Sequence, residues 1–511
     1  MKKRSDVQVM LLIGAVSAVA LALYLGWSAS FGHLGFPLDD AWIHLTYARN
    51  LAQHGQWAFV LDQPSAGSTA PLWTLLLTAG FLPPLLPRLW TYLLGWLCLA
   101  GTGLLAGRLA QRLFPERRWA PLLAGLACTL EWHLVWAAGS GMETLLFALL
   151  TLAIWSRLLA DPTRRPFLTG LLGGALILTR PEGVTVIGLA VLGTLLHTIP
   201  RGRWRQGLLS AVLMSAGVSL ALAPYLALNL RLSGTPWPNT FYAKQAEYAV
   251  LRLQPLTARL VRISATPLIG PLVLLVPGLI WAMWRRRPRS PEQPPSGPRG
   301  WRWIGWLPLA WVGGTLVMYA VRLPVTYQHG RYLMPLIPTL LVYGVGGTLD
   351  LVRSASQPVL ARVLARTLLI AAGLLFPSFW AIIGAPAYAT DVAIIEGEMV
   401  TVAQWINDHT APDALIAAHD IGAIGYFARR PLLDMAGLVS PEVIPFIRNE
   451  TEILDWLAEQ KADYLVTFPT WYPTLTADPR VEMVFQTDTE VTREKGEMNM
   501  AVYALHWQPT R

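Results

Sequence analysis

The sequence predicts a polytopic α-helical membrane protein, with about eleven spans, carrying a C-terminal α/β domain outside the bilayer. Three observations predict it. Hydrophobic residues make up 54% of the 511 residues and charged residues only 14%, where a soluble domain carries about 25% charged. Apolar runs of spanning length recur along the first three quarters of the chain, and many of the 23 Trp sit near their ends, as in an interfacial belt. Arginine clusters fall between alternate runs, as the positive-inside rule requires.

The elements follow in order. Residues 1–4 are basic and residues 9–27 form an apolar run close to the roughly 20 residues a spanning helix needs. With no small-residue cleavage site following, it reads as a retained first span with a cytoplasmic N-terminus. Further runs centre near residues 78, 99, 128, 150, 174, 190, 217, 275, 311, 342 and 375. Arg108, Arg112, Arg117 and Arg118 follow the run near 99, and Arg157, Arg164 and Arg165 the run near 150. Arg201, Arg203 and Arg205, then Arg285, Arg286, Arg287 and Arg289, then Arg353, Arg362 and Arg366 close later runs. Were residues 70–86 a span, every later cluster would lie outside. That segment is short and holds Pro71, Pro83 and Pro84, so it is expected to be re-entrant or interfacial.

Eleven spans then leave outer loops at 28–88, 138–142, 180–183, 230–265 and 322–333. Residues 1–387 form the membrane domain and 388–511 the outer domain. In the outer domain, 402–409 and 452–460 read as helices, and 414–418, 464–468, 481–486 and 500–507 as strands. Residues 288–298 form a Pro-rich cytoplasmic linker. Cys98 and Cys128 both lie within apolar runs, which excludes a disulfide framework and a zinc site. The net charge of +9 does not indicate a nucleic-acid partner. From Pro386 onward there are 8 basic and 19 acidic residues, so the excess of arginine belongs to the membrane part and records insertion.

Candidate chemistry gathers in the outer loops. Asp39 and Asp40 follow the first span and precede an amphipathic helix for which Asp39 is a natural N-cap. Carboxylates at a membrane surface are costly. One of them could take a proton from a hydroxyl, while the other raises its pKa, positions the acceptor or binds a metal ion. Lysine is rare in this chain, so Lys244, close to Asn239 and Tyr242, stands out. Arg331 with His329, and Arg180 with Glu182, bring cations to the same side; Arg180 and Glu182 also read as a local ion pair. Glu143 opens an outer helix, where the helix dipole favours an acid. Asp40 and Glu143 could supply oxygen ligands to Mg²⁺, Mn²⁺ or Ca²⁺, although no spacing establishes a site. Glu131 and His133 lie inside an apolar run and read as a structural pair, with a donor-groove role as the alternative.

Asp39-Asp40-Ala41-Trp42-Ile43-His44 and Gly67-Ser68-Thr69-Ala70-Pro71-Leu72-Trp73 resemble the first outer loop of GT-C fold glycosyltransferases, membrane enzymes that use polyprenyl-phosphate sugars. The resemblance is to the mycobacterial arabinofuranosyltransferase type. Lipid A aminoarabinose transferases and protein O-mannosyltransferases are more distant. Glu143 within Ser140-Gly141-Met142-Glu143-Thr144, Thr179 to Gly183, Pro238 to Lys244, His329 to Pro335, His419 to Tyr426 and Asp434 to Leu438 continue it in order. Ser68 and His44 depart from the pattern, in the loop that would face the acceptor.

The resemblance implies a multi-pass enzyme of the bacterial cytoplasmic membrane, with an extracytoplasmic site. Asp39 would be the general base, with Asp40 as alternative or partner. Arg331, His329, Lys244 and Arg180 would hold the donor phosphate, with Glu143, Glu182, Asn239 and Tyr242 lining the site. Partners would be the lipid bilayer, the polyprenyl-phosphate sugar, and a glycan, glycolipid or protein acceptor. A transporter or flippase predicts polar groups along a midplane path instead. A non-catalytic scaffold with a glycan-binding outer domain leaves the paired aspartates unexplained.

Overall fold

The computed structural model describes residues 2–285, 303–354 and 357–507, with side chains from residue 7 onward. Arg286, Arg287, Arg289 and the Pro-rich 288–298 stretch lie outside the described residues. Seven described helices are long and apolar enough to cross a membrane, and two bent helix pairs raise the number to nine. One pair, Ala120–Leu130 with Trp132–Gly139, bends by 55° at Glu131. The Glu131 carboxylate accepts the Leu134 N–H at 3.1 Å and contacts His133 Nδ1 at 2.8 Å. Glu131 and His133 are therefore the structural pair, capping the second half of a broken span. The other pair, Leu256–Leu268 with Pro271–Arg285, bends by 95° around Gly270, whose φ of 120° only glycine adopts easily.

Thr144–Ala160 and Pro166–Ile177 are shorter apolar helices. Each is flanked by Arg157, Arg164 or Arg165 at one end and by Glu143 or Arg180 at the other. The about eleven spans expected compare with seven described helices of spanning length, nine with the two bent pairs, and these shorter apolar helices besides. Residues 70–86 behave differently. A helix Pro71–Thr78 and a 3₁₀ turn Ala79–Phe81 extend only about 16 Å, against a hydrocarbon core of about 30 Å. The helix Pro87–Leu113 then starts beside it, with Trp90 donating to the Leu76 carbonyl at 2.8 Å. The segment thus returns to the side it came from.

Close helix packing rests on small residues. A Cβ at Gly170 would lie 2.0 Å from the Met214 carbonyl oxygen, and one at Gly174 would lie 2.5 Å from Ala221 Cβ. This Gly-xxx-Gly face lets Pro166–Ile177 press against Trp204–Ser233.

The last span corrects one expectation. Residues 402–409 are not a separate helix of the outer domain. They end an uninterrupted helix, Val359–His409, of 51 residues. It runs through π-helical turns at Trp380–Gly384 and Ile395–Val400 and continues past residue 387 into the acidic C-terminal part.

Beyond it lies a mixed sheet. A short hairpin, β1 (Ala58–Val60) and β2 (Gln63–Pro64), belongs to the first outer loop. The sheet strands are β3 (Ile416–Ala418), β4 (Leu432–Asp434), β5 (Tyr464–Thr467), β6 (Val481–Gln486) and β7 (Ala501–Leu505). Their order is β4-β3-β5-β7-β6, parallel among β4, β3 and β5 and antiparallel elsewhere. Side-chain alternation splits the sheet. Ile416, Ala418, Val466 and Val502 join the core that continues into the membrane part. Ala417, Leu433, Leu465 and Tyr503 pack with Ile453 and Leu457 of the helix Glu450–Gln460. One face of the sheet is therefore fused to the bundle.

Candidate active site

Two adjoining clefts, of about 440 and 600 Å³, open where the ends of the helices meet the sheet domain. They share Asp40, Lys244, Arg331 and Tyr332 as a common wall. Asp40 opens the helix Asp40–His54 and is bonded by Arg331, with Lys244 Nζ at 3.8 Å. Burial alone would raise the Asp40 carboxyl, but Arg331 and Lys244 outweigh it and hold the group well below the usual carboxylate range.

Glu143, at the start of Thr144–Ala160, accepts from Arg180 Nε at 2.6 Å and lies 3.6 Å from His44 Nε2. Burial pushes its carboxyl up, and Arg180 and His44 pull it well below the ordinary value. Arg180 also donates to Thr144 Oγ1 at 2.8 Å. His44 is itself set by Thr74 Oγ1 at 3.3 Å, which ties the helix Asp40–His54 to the interfacial helix.

Tyr332 is the hub of this wall. Its hydroxyl accepts from Lys244 Nζ at 3.0 Å, and the Arg331, Arg180 and Lys244 cations lie 5.1, 5.6 and 5.7 Å from its ring centroid. The ring attracts three cations that repel one another. Even so, Arg331 Nε and Nη1 and Arg180 Nη1 are buried without a protein partner among the described residues.

Asp39 lies in a different environment. Its carboxylate does not cap its own helix. Instead it accepts the N–H of Gly422 at 2.6 Å and of Ala423 at 2.7 Å, from the turn after β3. Gly422 is required, because a Cβ there would lie 2.0 Å from the Asp39 carbonyl oxygen. Burial pushes the Asp39 carboxyl up to about 8, with help from the nearby Asp420 charge and against the two N–H bonds. Asp420 is itself raised to about 6, mainly by burial, as is buried Asp434. His419, 3.6 Å from Glu247 Oε1 and 2.8 Å from the Tyr472 hydroxyl, rises to about 9. Burial lowers it, but Glu247 and Asp420 more than compensate.

The clefts thus gather Asp39, Asp40, Glu143, Arg180, Lys244 and Arg331 from segments far apart in sequence. Four expected residues stand elsewhere. His329 faces away from Arg331: its Nε2 meets Asp391 at 2.7 Å, between the rings of Trp132 and Trp136. Positive φ at Gln328 and His329 turns the backbone between His329 and Arg331. Glu182 pairs with the Tyr319 hydroxyl at 2.6 Å rather than closing on Arg180. Asn239 and Tyr242 miss the clefts because Thr240 and Lys244, four residues apart, own the inward face of the helix Asn239–Glu247. Asn239 is buried with its N–H on the Ala66 carbonyl, and the Tyr242 ring packs on Phe241.

Tyr332, His44, Glu247, His419 and Asp420 line the clefts without having been singled out as site residues. The usable signals were the adjacency of Tyr332 to Arg331 and of Asp420 to His419. Among the described residues, no three His, Cys, Asp or Glu side chains group as a metal site. Asp40 and Glu143, the candidate ligands, each hold a guanidinium.

A multi-span bundle with an outer cleft roofed by a sheet domain defines a GT-C fold membrane protein. Solved structures share that fold over nearly the whole chain. ArnT from Cupriavidus metallidurans, bound to undecaprenyl phosphate, matches at TM-score 0.60 and 15% identity, over 97% of each chain. The oligosaccharyltransferase AglB from Archaeoglobus fulgidus, in complex with an inhibitory peptide and a dolichol-phosphate, matches at 0.59 and 11%, over 91% of this chain and 70% of that one. The mycobacterial arabinofuranosyltransferase AftD matches at 0.50 and 16%, over 97% of this chain but 42% of its own. Residues 387–506 match a family model described as a domain of unknown function, DUF8728. No curated protein matches the chain by sequence.

Proposed function

We propose that this protein is a glycosyltransferase of the bacterial cytoplasmic membrane. It moves a sugar from a polyprenyl-phosphate donor to the hydroxyl of an extracytoplasmic glycan, glycolipid or protein. The observation that carries this reading is the set of buried guanidinium N–H groups without partners on Arg331 and Arg180. A buried unsatisfied donor costs about 1–3 kcal/mol, and a phosphate oxygen would satisfy several at once. The fold neighbours bound to undecaprenyl phosphate and dolichol-phosphate support the same ligand class.

Arg331, Lys244 and Arg180 hold the donor phosphate at the common wall, in bidentate and point-charge fashion. Asp40 and Glu143 fix those cations in position. Asp39, on the facing side, takes the acceptor proton. The acceptor oxygen forms its bond to the anomeric carbon as the bond to the phosphate oxygen breaks, and the polyprenyl phosphate leaves with its electron pair. Charge on the leaving phosphate is stabilised by the fixed cations. A single displacement inverts the anomeric centre.

The test is a transfer assay with polyprenyl-phosphate sugars on the purified protein and its Asp39→Asn and Asp40→Asn variants, with mass spectrometry of co-purified lipid to identify the donor. Wild-type activity in both variants rules out the base assignment. A purified protein that neither retains a polyprenyl phosphate nor transfers any sugar from one rules out the donor class.

A further inference from the structure

We infer that the end of the bundle opposite the active-site cleft binds the headgroup of an anionic phospholipid, in a groove between the helices Pro87–Leu113 and Thr144–Ala160. Five arginines, Arg108, Arg112, Arg157, Arg164 and Arg165, line a cavity of about 780 Å³ there. The position follows from helix length. Glu143, at the outer cleft, precedes Thr144–Ala160, whose 17 residues span about 25 Å. Arg157 lies in the last turn. The two sites are therefore separated by roughly the hydrocarbon thickness of a bilayer.

The arginines are arranged for a ligand from outside the chain. Among the described residues, none of the five has a carboxylate within ion-pair distance. The ion pairs of Arg117, Arg180, Arg285 and Arg331 are all formed elsewhere. Asp161 lines the cavity too, but its carboxylate is turned to the backbone N–H and hydroxyl of Thr163, at 2.9 and 2.8 Å. Arg157 is fixed by Thr169 Oγ1 at 3.1 Å and by the Arg164 and Arg165 carbonyls at 3.2 Å. Arg112 reaches Ser156 Oγ at 3.3 Å and bridges the two helices. Arg108 and Arg112 are one turn apart on the same helix face. The result is a fan of guanidinium groups held close together despite their mutual repulsion. Guanidinium forks match phosphate oxygens in pairs.

The groove also has an apolar end. Leu105 and Ala153 form its deeper lining, about a turn or more into the bundle from the arginines. Phe167 and Leu168, just after Arg165, are 37% and 38% exposed, so exposed apolar surface begins within a turn of the arginines. A headgroup at the arginines with its acyl chains passing Leu105 and Ala153 satisfies both ends. Basic pockets between transmembrane helices are suited to such headgroups. Five positive charges beside one acid favour a headgroup with two phosphates over one.

The experiment is native mass spectrometry of the full chain in detergent after addition of cardiolipin, phosphatidylglycerol or phosphatidylcholine, repeated with excess inorganic phosphate. Retention is expected in that order, and phosphate should not displace the cardiolipin. The variant R108Q/R112Q/R164Q/R165Q should lose cardiolipin retention by at least about tenfold, while R203Q/R205Q, which removes two arginines beyond the cavity, should keep it. Because neutralising arginines can disturb insertion, a set of Lys replacements at the same four positions preserves charge. It should retain less cardiolipin than the wild type because the forks are gone. Equal retention of cardiolipin and phosphatidylcholine by the wild type overturns the inference. So does an equal loss in R203Q/R205Q, or wild-type retention in both the Gln and Lys sets. Displacement of cardiolipin by inorganic phosphate would reassign the arginines to a simple anion site and overturn the lipid assignment.

Discussion

The two sides of the cleft shift the same kind of side chain in opposite directions. On the membrane side, Asp40 and Glu143 each sit against a guanidinium and stay ionised. On the sheet-domain side, Asp39, Asp420 and Asp434 have no guanidinium within ion-pair distance among the described residues, and burial raises all three. Asp39 and Asp40 are neighbours in sequence, yet one is lifted to about 8 and the other held low. Consecutive helix residues point about 100° apart, so adjacent acids can face different partners. Charge state here is a property of the wall, not of the residue type. One wall lowers its carboxyls with cations, and the other raises them by burial.

The most direct way to break this contrast is to remove the proton acceptor. Asp39→Asn should lower kcat by about 10²–10⁴-fold, the usual worth of a general base, with little change in donor retention measured by mass spectrometry of bound lipid. Next in size is the loss of the anion clamp. Arg331→Gln should cost about 10²–10³-fold in kcat/KM and should also release polyprenyl phosphate during purification. Arg331→Lys should fall between the wild type and Gln.

A smaller change sharpens the contrast through pH. A base must be unprotonated, so activity should rise with pH through the Asp39 value of about 8. Asp420→Asn removes a like charge that raises Asp39. It should move the acid limb of the kcat/KM profile toward lower pH, by about one unit. An unmoved limb would assign that limb to another group. Smallest is the effect on stability. Folded-state values for Asp39, Asp420 and Asp434 lie above the ordinary carboxylate range, so the folded protein binds protons more tightly than the unfolded chain. The stability they contribute is full below about pH 4 and is lost as pH rises through about 6 to 8. Thermal unfolding in detergent should show a shallower decline over that range for Asp39→Asn than for the wild type.

What could be read from sequence divides by the length of the signal. Apolar runs of about 20 residues impose a helix in lipid, so the spans and the interfacial segment after residue 70 were legible. The six residues of β6 form the expected strand, whereas β4, three residues long, carries no period to detect. The helix at 402–409 was recognised, but its continuity with the last span was not, because residues 385–400 trade lipid for protein contacts without any stop signal. In the site, Asp40, Glu143, Arg180, Lys244 and Arg331, grouped by their loops in sequence, line one cleft. That grouping could not show where each side chain points, and His329, Glu182, Asn239 and Tyr242 turn elsewhere. The partners of Asp39 lie more than 380 residues away, beyond any local pattern.

That last distance has a consequence for how the protein is made. Asp39 precedes the helices of the bundle in the chain, apart from the first, and Gly422 and Ala423 follow them. Until the sheet domain folds on the far side, the aspartate has neither its two N–H donors nor its burial. A truncated chain ending before residue 420 therefore lacks the two N–H donors that hold the Asp39 carboxylate. Activity should appear late and all at once during biogenesis, coupled to closure of the final domain.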